Sequence, residues 1–166
     1  SRVTQMKKIF EMADDFNQDV SRWDTSRVTN IDYAFSWALA FDYDVGGWDT
    51  SSVTDLEAVF YKAEVFNQDV GAWDTSNVSS PTWGVFREAF AFNQPIGGWD
   101  VSKVDEMGQM FRGAEAFNQP IGGWDVSKVT DMRFAFNEAT AFDQPIGAWD
   151  TSSVTDVQIE YMYSDS

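Results

Sequence analysis

Large apolar residues recur along the chain with a period of 25 residues, which one extra residue interrupts once. Tryptophan marks the period at Trp23, Trp48, Trp73, Trp99, Trp124 and Trp149. Two phenylalanine series follow the same spacing, Phe10, Phe35, Phe60, Phe86, Phe111 and Phe136, and Phe16, Phe41, Phe66, Phe92, Phe117 and Phe142. A unit of this length cannot bury its own aromatic rings, so we expect successive units to stack around a continuous aromatic core.

The repeat divides the chain into six full units and a partial seventh. The units are 1–25, 26–50, 51–75, 76–101, 102–126, 127–151 and the partial unit 152–166. The extra residue of the fourth unit lies within 79–83, where we expect a local bulge and a displaced Trp83. No linker separates the units, so we interpret residues 1–166 as a single solenoid domain.

Two apolar patterns alternate within each unit. Ile96, Trp99 and Val101 have the spacing of a short solenoid strand, whereas Val104, Met107, Phe111 and Ala114 recur at intervals of three and four, as on a helix. Like units stacked in sequence place their strands in parallel. The pattern therefore predicts an α/β repeat fold, a right-handed leucine-rich-repeat-type solenoid with one short parallel strand and one short helix per 25-residue unit.

A polar residue at the fourth position of each unit predicts the start of that helix. The residues are Thr4, Thr29, Thr54, Ser79, Asp105, Thr130 and Thr155. Their oxygens suit the N-cap, and Thr54 with Glu57 has the spacing of a capping box. A threonine ladder is also typical of an ice-binding face. Asp105 suits a cap better than such a face, so ice binding stays a minor alternative.

Composition excludes several function classes. The 166 residues include 27 acidic and 11 basic ones, a net charge of −16 that repels nucleic acid and anionic membranes and suits cations or a basic partner. No apolar run is long enough to span a membrane. Cysteine and histidine are absent, which removes thiolate metal sites and the commonest general base. We therefore expect no enzyme and no cofactor, with Ca²⁺ left open.

The stretch MFRGAEAFNQPIGGWDVSKVTDM, residues 110–132, resembles the repeat of BspA-like leucine-rich-repeat surface proteins. The resemblance covers essentially the whole chain, with Tyr43 in place of glutamine and Asp42 and Asp143 in place of asparagine. It implies an extracellular or cell-surface protein that acts in adhesion or partner binding, and it carries no catalytic residues.

A column of equivalent aspartates is the most regular candidate site. Its members are Asp24, Asp49, Asp74, Asp100, Asp125 and Asp150. On adjacent strands roughly 4.8 Å apart, two such charges repel by about 0.9 kcal/mol in water. Each carboxylate can accept following backbone N–H groups in an Asx turn, share a Ca²⁺ ion with its neighbour, or contact a partner directly. If the chain binds a metal, this column is where we expect it.

Other candidates depart from the repeat or recur beside it. Trp37 and Trp83 break the tryptophan period and are candidates for a contact patch, whereas we expect the periodic tryptophans in the core rather than on a sugar-binding platform. Arg22 places a charge where other units have glycine or alanine. Recurring Asn-Gln pairs predict a hydrogen-bonded ladder between units.

These observations predict a non-catalytic cell-surface or secreted scaffold for adhesion or protein-partner binding. A calcium-dependent or carbohydrate-binding module is the alternative. The partner is expected to be a protein or a glycan on a surface, with no nucleic acid and no membrane insertion. We also expect an exposed apolar edge at the N-terminal unit, a weak polar cap at 161–166, and a tendency to associate end to end.

Overall fold

The repeat folds without helices or strands. The computed structural model describes residues 3–79 and 81–155. Over these residues there is no α-helix, and β pairing is limited to the isolated parallel bridges Gln5–Asn30, Asn30–Asp55 and Glu106–Asp131. The predicted α/β leucine-rich-repeat solenoid, with a strand and a helix in each unit, is therefore wrong. No helix in this described part is long and apolar enough to cross a membrane.

Each unit instead forms a coil made of successive tight turns, and coils 1 to 6 are the six full units. The predicted helix is replaced by a turn segment, at 6–13, 31–38, 56–63, 82–89, 107–114 and 132–139 in the six coils. In coil 5, Met110 donates its N–H to Met107, Arg112 to Gln109, and Ala114 to Phe111. These are three overlapping four-residue turns, because each donor lies three residues after its acceptor.

The predicted strand is also a turn. Trp99 donates its N–H to the carbonyl of Ile96 at 3.0 Å, and Val104 donates to Val101 at 2.9 Å. The first bond closes a four-residue turn within coil 4, and the second closes a four-residue turn where coil 4 passes into coil 5. The segment therefore does not pair as an extended strand. The apolar spacing of residues 96–101 therefore reflects inward-facing positions of a turn.

Most of the remaining N–H groups of the turn segments in coils 1 to 5 bond to carbonyl groups of the following coil. Gly84 donates to Gly108 at 3.0 Å, Phe86 to Met110 at 2.9 Å, and Glu88 to Arg112 at 2.7 Å. Equivalent bonds connect the other coils, for example Tyr33 to Glu57 at 2.8 Å. Alternate residues thus bond within and between coils, which satisfies the backbone without a sheet.

This alternation imposes left-handed backbone at two positions of every turn segment. Among the described residues, those with positive φ are Lys8, Met12, Tyr33, Trp37, Ala58, Lys62, Gly84, Glu88, Gln109, Gly113, Phe134 and Glu138. Only Gly84 and Gly113 are glycines, the residue that adopts this conformation without steric penalty. Each of the other ten carries a side chain at a cost of about 1 kcal/mol.

The aromatic series form the core, as the sequence predicts. Phe60 and Phe66 of one coil stack at 3.9 Å between ring centroids, and Phe60 lies 5.7 Å from Phe86 in the next coil. Trp73 and Trp99 stack in parallel planes at 6.3 Å. The inner phenylalanines are buried, and the four inner tryptophans are only 3–5% exposed. Sugar stacking on these inner tryptophans is therefore ruled out.

The periodic tryptophans also connect the coils through their indole N–H groups. Trp73 Nε1 donates to the carbonyl of Val45 at 2.9 Å, and Trp99 Nε1 donates to Val70 at 3.0 Å. Trp48, Trp124 and Trp149 make the same bond to the preceding coil. Burial of the indole therefore leaves its polar group satisfied.

The residues predicted to cap helices instead form hydrogen bonds between neighbouring coils, because the described residues contain no helix. Thr29 donates its backbone N–H to the carbonyl of Thr4 at 2.9 Å, and Thr130 donates to Asp105 at 2.8 Å. The hydroxyl of Thr130 reaches the same Asp105 carbonyl at 3.1 Å. The capping box is also wrong, because the Glu57 N–H is bound by the carboxylate of Asp32 at 3.0 Å.

The Asn-Gln pairs form the predicted ladder between coils. The Asn93 side chain accepts the backbone N–H of Asn118 at 2.9 Å and the Gln119 amide at 2.9 Å. The carboxylate of Asp42 substitutes for asparagine and accepts from Asn67 and Gln68, both at 2.9 Å. Aspartate fits here because the position requires only an acceptor.

Coil 1 presents the apolar edge that the sequence predicts. Val3, Ile9 and Met12 are 45%, 42% and 70% exposed, and Trp23 is 40% exposed. The expected weak cap at 161–166 and most of the partial unit 152–166 lie outside the described residues. End-to-end association stays a prediction.

Candidate functional site

The outer surface of the turn segments is where the coils differ from one another. Two core places of the turn segment repeat the same residue in all six coils, the phenylalanine of the Phe10 series and the alanine at 13, 38, 63, 89, 114 and 139. The second position of each turn segment instead carries Lys7, Asp32, Glu57, Trp83, Gly108 and Arg133, with no residue type used twice. The third carries Lys8, Tyr33, Ala58, Gly84, Gln109 and Phe134, again all different. We call this surface the turn face.

An ordered cluster of rings and charges lies on the turn face of coils 2 to 4. We call it the aromatic patch, and its members are Trp37, Tyr61, Lys62, Trp83, Arg87 and Glu88. The Lys62 ammonium lies 3.9 Å from the centroid of the Trp37 ring, a cation–π contact. The Arg87 guanidinium lies 4.7 Å from the ring of Tyr61 and 5.5 Å from that of Trp83.

Glu88 connects the two cations of the patch. Its carboxylate lies 3.3 Å from Lys62 Nζ and 3.1 Å from Arg87 Nε. All three side chains are largely covered, with 19–25% of their surface exposed. Trp37 and Tyr61 meet edge to face at 5.8 Å. The patch is thus held together by contacts among its own side chains.

Trp83 lies over coil 5. A Cβ atom added to Gly108 would lie 2.9 Å from Trp83 Cδ1. The absence of a side chain at Gly108 therefore leaves room for the indole ring. The backbone of Trp83 keeps the register of the other coils, because its carbonyl accepts the N–H of Ala58 at 2.9 Å as that of Glu57 accepts from Tyr33 at 2.8 Å. The expected displacement of Trp83 is therefore not observed in its backbone, and the expected bulge includes Ser80, which lies outside the described residues.

An acidic hydrogen-bond network lies on the turn segments of coils 2 and 3. Asp32 is 4% exposed and accepts from Lys7, Asn30 and the N–H of Glu57. The Tyr33 hydroxyl donates to Glu57 at 2.6 Å. Burial raises the pKa of Tyr33 far above its ordinary value, and the bond to Glu57 raises it further. The tyrosine therefore stays protonated as a donor.

The aspartate column is exposed and engaged by its own turns. Asp125 accepts from the hydroxyl of Ser127 at 2.6 Å and from its backbone N–H at 3.1 Å. Backbone bonds of the same kind hold the other five, in the Asx turn that the sequence allowed. The serine hydroxyls, and then the backbone bonds, hold the pKa of all six below the ordinary range.

Replacing Ser127 with alanine is expected to raise the pKa of Asp125, because the first cause of its depression is removed. The remaining backbone bond should keep that pKa below the ordinary value. A depressed carboxyl pKa stabilises the fold above the unfolded pKa, so the variant should lose stability near neutral pH and match the parent once pH falls below the folded pKa. Carboxyl ¹³C chemical shifts measured against pH give the result, with Asp74 as the internal control.

The comparisons place the chain in a repeat family. A family described as "Mycoplasma protein of unknown function, DUF285" matches residues 1–84 and again residues 81–166. The chain belongs to this family. No curated protein and no solved structure matches it. The repeat character is therefore confirmed at the level of DUF285, whereas the BspA-like leucine-rich-repeat assignment receives no support from the comparisons or from the helix-free coils.

The predicted site residues of the DUF285 chain lie in three separate places. Trp37 and Trp83 belong to the aromatic patch. Arg22 is exposed in coil 1 and forms no salt bridge in the described part of the chain. The aspartates lie in the Asx turns that follow the periodic tryptophans, and the described residues contain no group of three acidic side chains placed to hold a metal ion. Calcium binding stays a prediction.

Sequence reasoning missed Tyr61, Lys62, Arg87 and Glu88. The signal that identifies them is present in the DUF285 repeat itself. These residues occupy the sixth and seventh places of the turn segment, where each coil differs from most others. Comparison of the coils at those two places, rather than a search for aromatics out of period, would have found the patch.

Proposed function

We propose that this DUF285 protein is a non-catalytic scaffold that binds a macromolecular partner through its turn face, and that it acts in adhesion or partner binding at a cell surface or outside the cell. The stacked coils supply a rigid frame, and the turn face supplies the variable chemistry. The observation that carries the proposal is that variation between coils is concentrated on the turn face.

The residues with left-handed backbone support the interpretation of the variable turn face as a binding surface. Two positions of every turn segment favour glycine, yet ten of the twelve carry side chains. Tyr33, Trp37 and Phe134 are bulky aromatics at such positions. Side chains at positions where the left-handed backbone favours glycine reduce the stability of the fold. Their presence there suggests a role in binding, since residues with unusual backbone conformation concentrate at functional sites.

The chemistry of the patch suits binding rather than catalysis. Catalytic pairs need acid and base groups whose pKa values differ, and the equivalent aspartates share one environment and one direction of pKa shift. Tryptophan, tyrosine and arginine are instead the residues that dominate binding hot spots. The threonine hydroxyls expected on an ice-binding face, such as that of Thr130, are engaged with the preceding coil.

A graft of coil 5 residues onto coils 2 and 3 tests the proposal. The variant carries Tyr33→Gln, Trp37→Gly, Tyr61→Arg and Lys62→Gly, which are the residues of coil 5 at the same places. We expect its melting temperature to match or exceed that of the parent, because two left-handed residues become glycine. Its binding to an array of cell-surface proteins and glycans should be lost.

The matched control changes two residues outside the turn segments, the half-buried Ser52 and the exposed Asn77. Both are replaced by lysine, the residue found at that place in coils 5 and 6. This control should bind the array as the parent does. Array binding that is equal for graft and parent, or no binding to any component, would contradict the proposal.

A further inference from the structure

The turn segments differ in charge from the rest of the chain. Their basic residues are Lys7, Lys8, Lys62, Arg87, Arg112 and Arg133, and their acidic residues are Glu11, Asp32, Glu57, Glu88 and Glu138. All other positions together carry five basic and 22 acidic residues. The net charge of −16 therefore divides into +1 on the turn segments and −17 on the rest of the chain. An acidic partner meets the least repulsion at the turn face.

Three basic side chains lie at neighbouring places on the turn segments of coils 3 to 5. They are Lys62, Arg87 and Arg112, and we call them the basic cluster. Glu88 lies 3.3 Å from Lys62 Nζ and 3.1 Å from Arg87 Nε, so one carboxylate serves two cations and leaves a net charge of +1. Both cations also contact aromatic rings. A ring has no net charge, so these contacts position the cations without neutralising them.

Both arginines of the basic cluster retain donors for a ligand. Among the described residues, nothing accepts a hydrogen bond from the terminal nitrogens of Arg87 and Arg112, and none of these nitrogens is buried. Arg112 Nε lies 4.0 Å from Glu138, which is too long for a hydrogen bond. A guanidinium can donate two parallel hydrogen bonds to a carboxylate, so each arginine suits an acidic side chain.

The spacing of the two arginines matches that of an extended peptide. Arg87 and Arg112 occupy the same place in successive coils. Core rings related in this way are close together, as Phe86 and Phe111 are with 5.8 Å between their centroids. Alternate side chains of an extended peptide point to the same side and lie roughly 6.6 Å apart. A segment that runs along the stack therefore brings acidic residues at alternate positions to both arginines.

We propose that the basic cluster binds an acidic protein segment in extended conformation, with the carboxylates of alternate residues on Arg87 and Arg112. The inference rests on the proposed binding function and names the class of partner. The charge of −17 on the rest of the chain repels such a segment, so charge favours the turn face over the other surfaces. Lys62 and Arg87 are already held by Glu88, so they lose little rotamer freedom on binding.

Peptides of defined sequence are the probes. A labelled peptide of about eight residues that alternates glutamate and serine is long enough to reach both arginines. We expect it to bind the protein, as measured by fluorescence anisotropy, and its glutamine–serine counterpart not to bind. Arg87→Gln and Arg112→Gln should each weaken binding about tenfold. Added salt should weaken it as well, because the contact joins charges near the surface.

Glu88→Gln separates a binding role of the cluster from a structural one. The change raises the net charge of Lys62, Arg87 and residue 88 from +1 to +2. The glutamate–serine peptide should therefore bind about threefold more tightly. A cluster that only holds the coils together would bind the peptide no better after this change.

Lys128→Gln is the matched control, because Lys128 is exposed and lies outside the turn segments. It should change the affinity less than about twofold. Failure of the glutamate–serine peptide to bind, equal losses for Lys128→Gln and Arg112→Gln, or weaker binding after Glu88→Gln would each overturn the inference. So would Arg87-dependent binding of a sulfated glycan without binding of the peptide. Graft-sensitive binding to the array with no peptide binding would leave the broader function standing.

Discussion

Replacing Phe86 with alanine is expected to lower the free energy of unfolding by about 3–5 kcal/mol. Phe86 has no exposed surface and lies in the middle of the stack. Its ring stacks on Phe92 at 3.8 Å, on Phe60 of coil 3 at 5.7 Å and on Phe111 of coil 5 at 5.8 Å. Alanine would leave a cavity that borders three coils, and the neighbouring rings are held by their own stacking and cannot close it.

Denaturant unfolding followed by tryptophan fluorescence measures this loss. Phe10→Ala is the matched control, because Phe10 occupies the same place in coil 1 and is only partly buried. We expect it to cost less than half as much. Equal losses at the two places would show that the aromatic column does not act as a continuous core.

The mutation should also change the cooperativity of unfolding. Each coil contacts only its neighbours, so stability is the sum of coil terms and interface terms. Loss of the ring column at coil 4 weakens the interfaces with coils 3 and 5 together. The two ends of the stack should then unfold at different denaturant concentrations, whereas the Phe10→Ala variant keeps a single transition.

The aromatic core of this protein could be predicted from the sequence, because the buried rings are those that recur with the 25-residue period. Trp73, Phe60 and Phe66 recur every 25 residues, and only stacking can cover rings that recur in this way. The Asn93 ladder and the Asp125 turn were also predicted, since both follow from what one side chain can accept locally or from the next copy.

The helix prediction failed because two structures share one apolar spacing. Overlapping turns bond every second residue to the third one before it, so Met107, Met110 and Ala114 face inward at intervals that resemble those of a helix. What separates the two structures is the left-handed backbone of the turn segment. Glycine, which is the sequence signal for this backbone, occurs only at Gly84 and Gly113. The other ten described positions carry residues that do not indicate a positive φ.

The patch could not be predicted for a related reason. Trp37, Lys62 and Glu88 occupy the same place in successive coils, so they become neighbours only when the coils stack. A consensus pattern for one repeat unit leaves out the residues that vary from unit to unit, and these residues form the patch. Trp37 and Trp83 were noticed because tryptophan is conspicuous, while their charged neighbours were not.

Substitution of Gly97 by alanine is expected to destabilise the protein by about 1–3 kcal/mol, whereas the same change at adjacent Gly98 should have an effect within about 0.5 kcal/mol. A Cβ atom at Gly97 would lie 2.5 Å from the carbonyl oxygen of Pro120 in coil 5. A Cβ atom at Gly98 would have no neighbour within 4 Å. The glycine that is required is therefore the one that faces the next coil.

The same close approach recurs along the stack, at Gly46, Gly71 and Gly122. Glycine at this place therefore permits the short distance between neighbouring coils. The obstructing atom is backbone and cannot rotate away, and coil 5 must move for alanine to fit. Coil 1 has Ser21 at this place. Thermal unfolding of Gly97→Ala, Gly98→Ala and Ser21→Ala compares the three sites. Equal melting temperatures for the two glycine variants would show that the coils are not held at this spacing in solution.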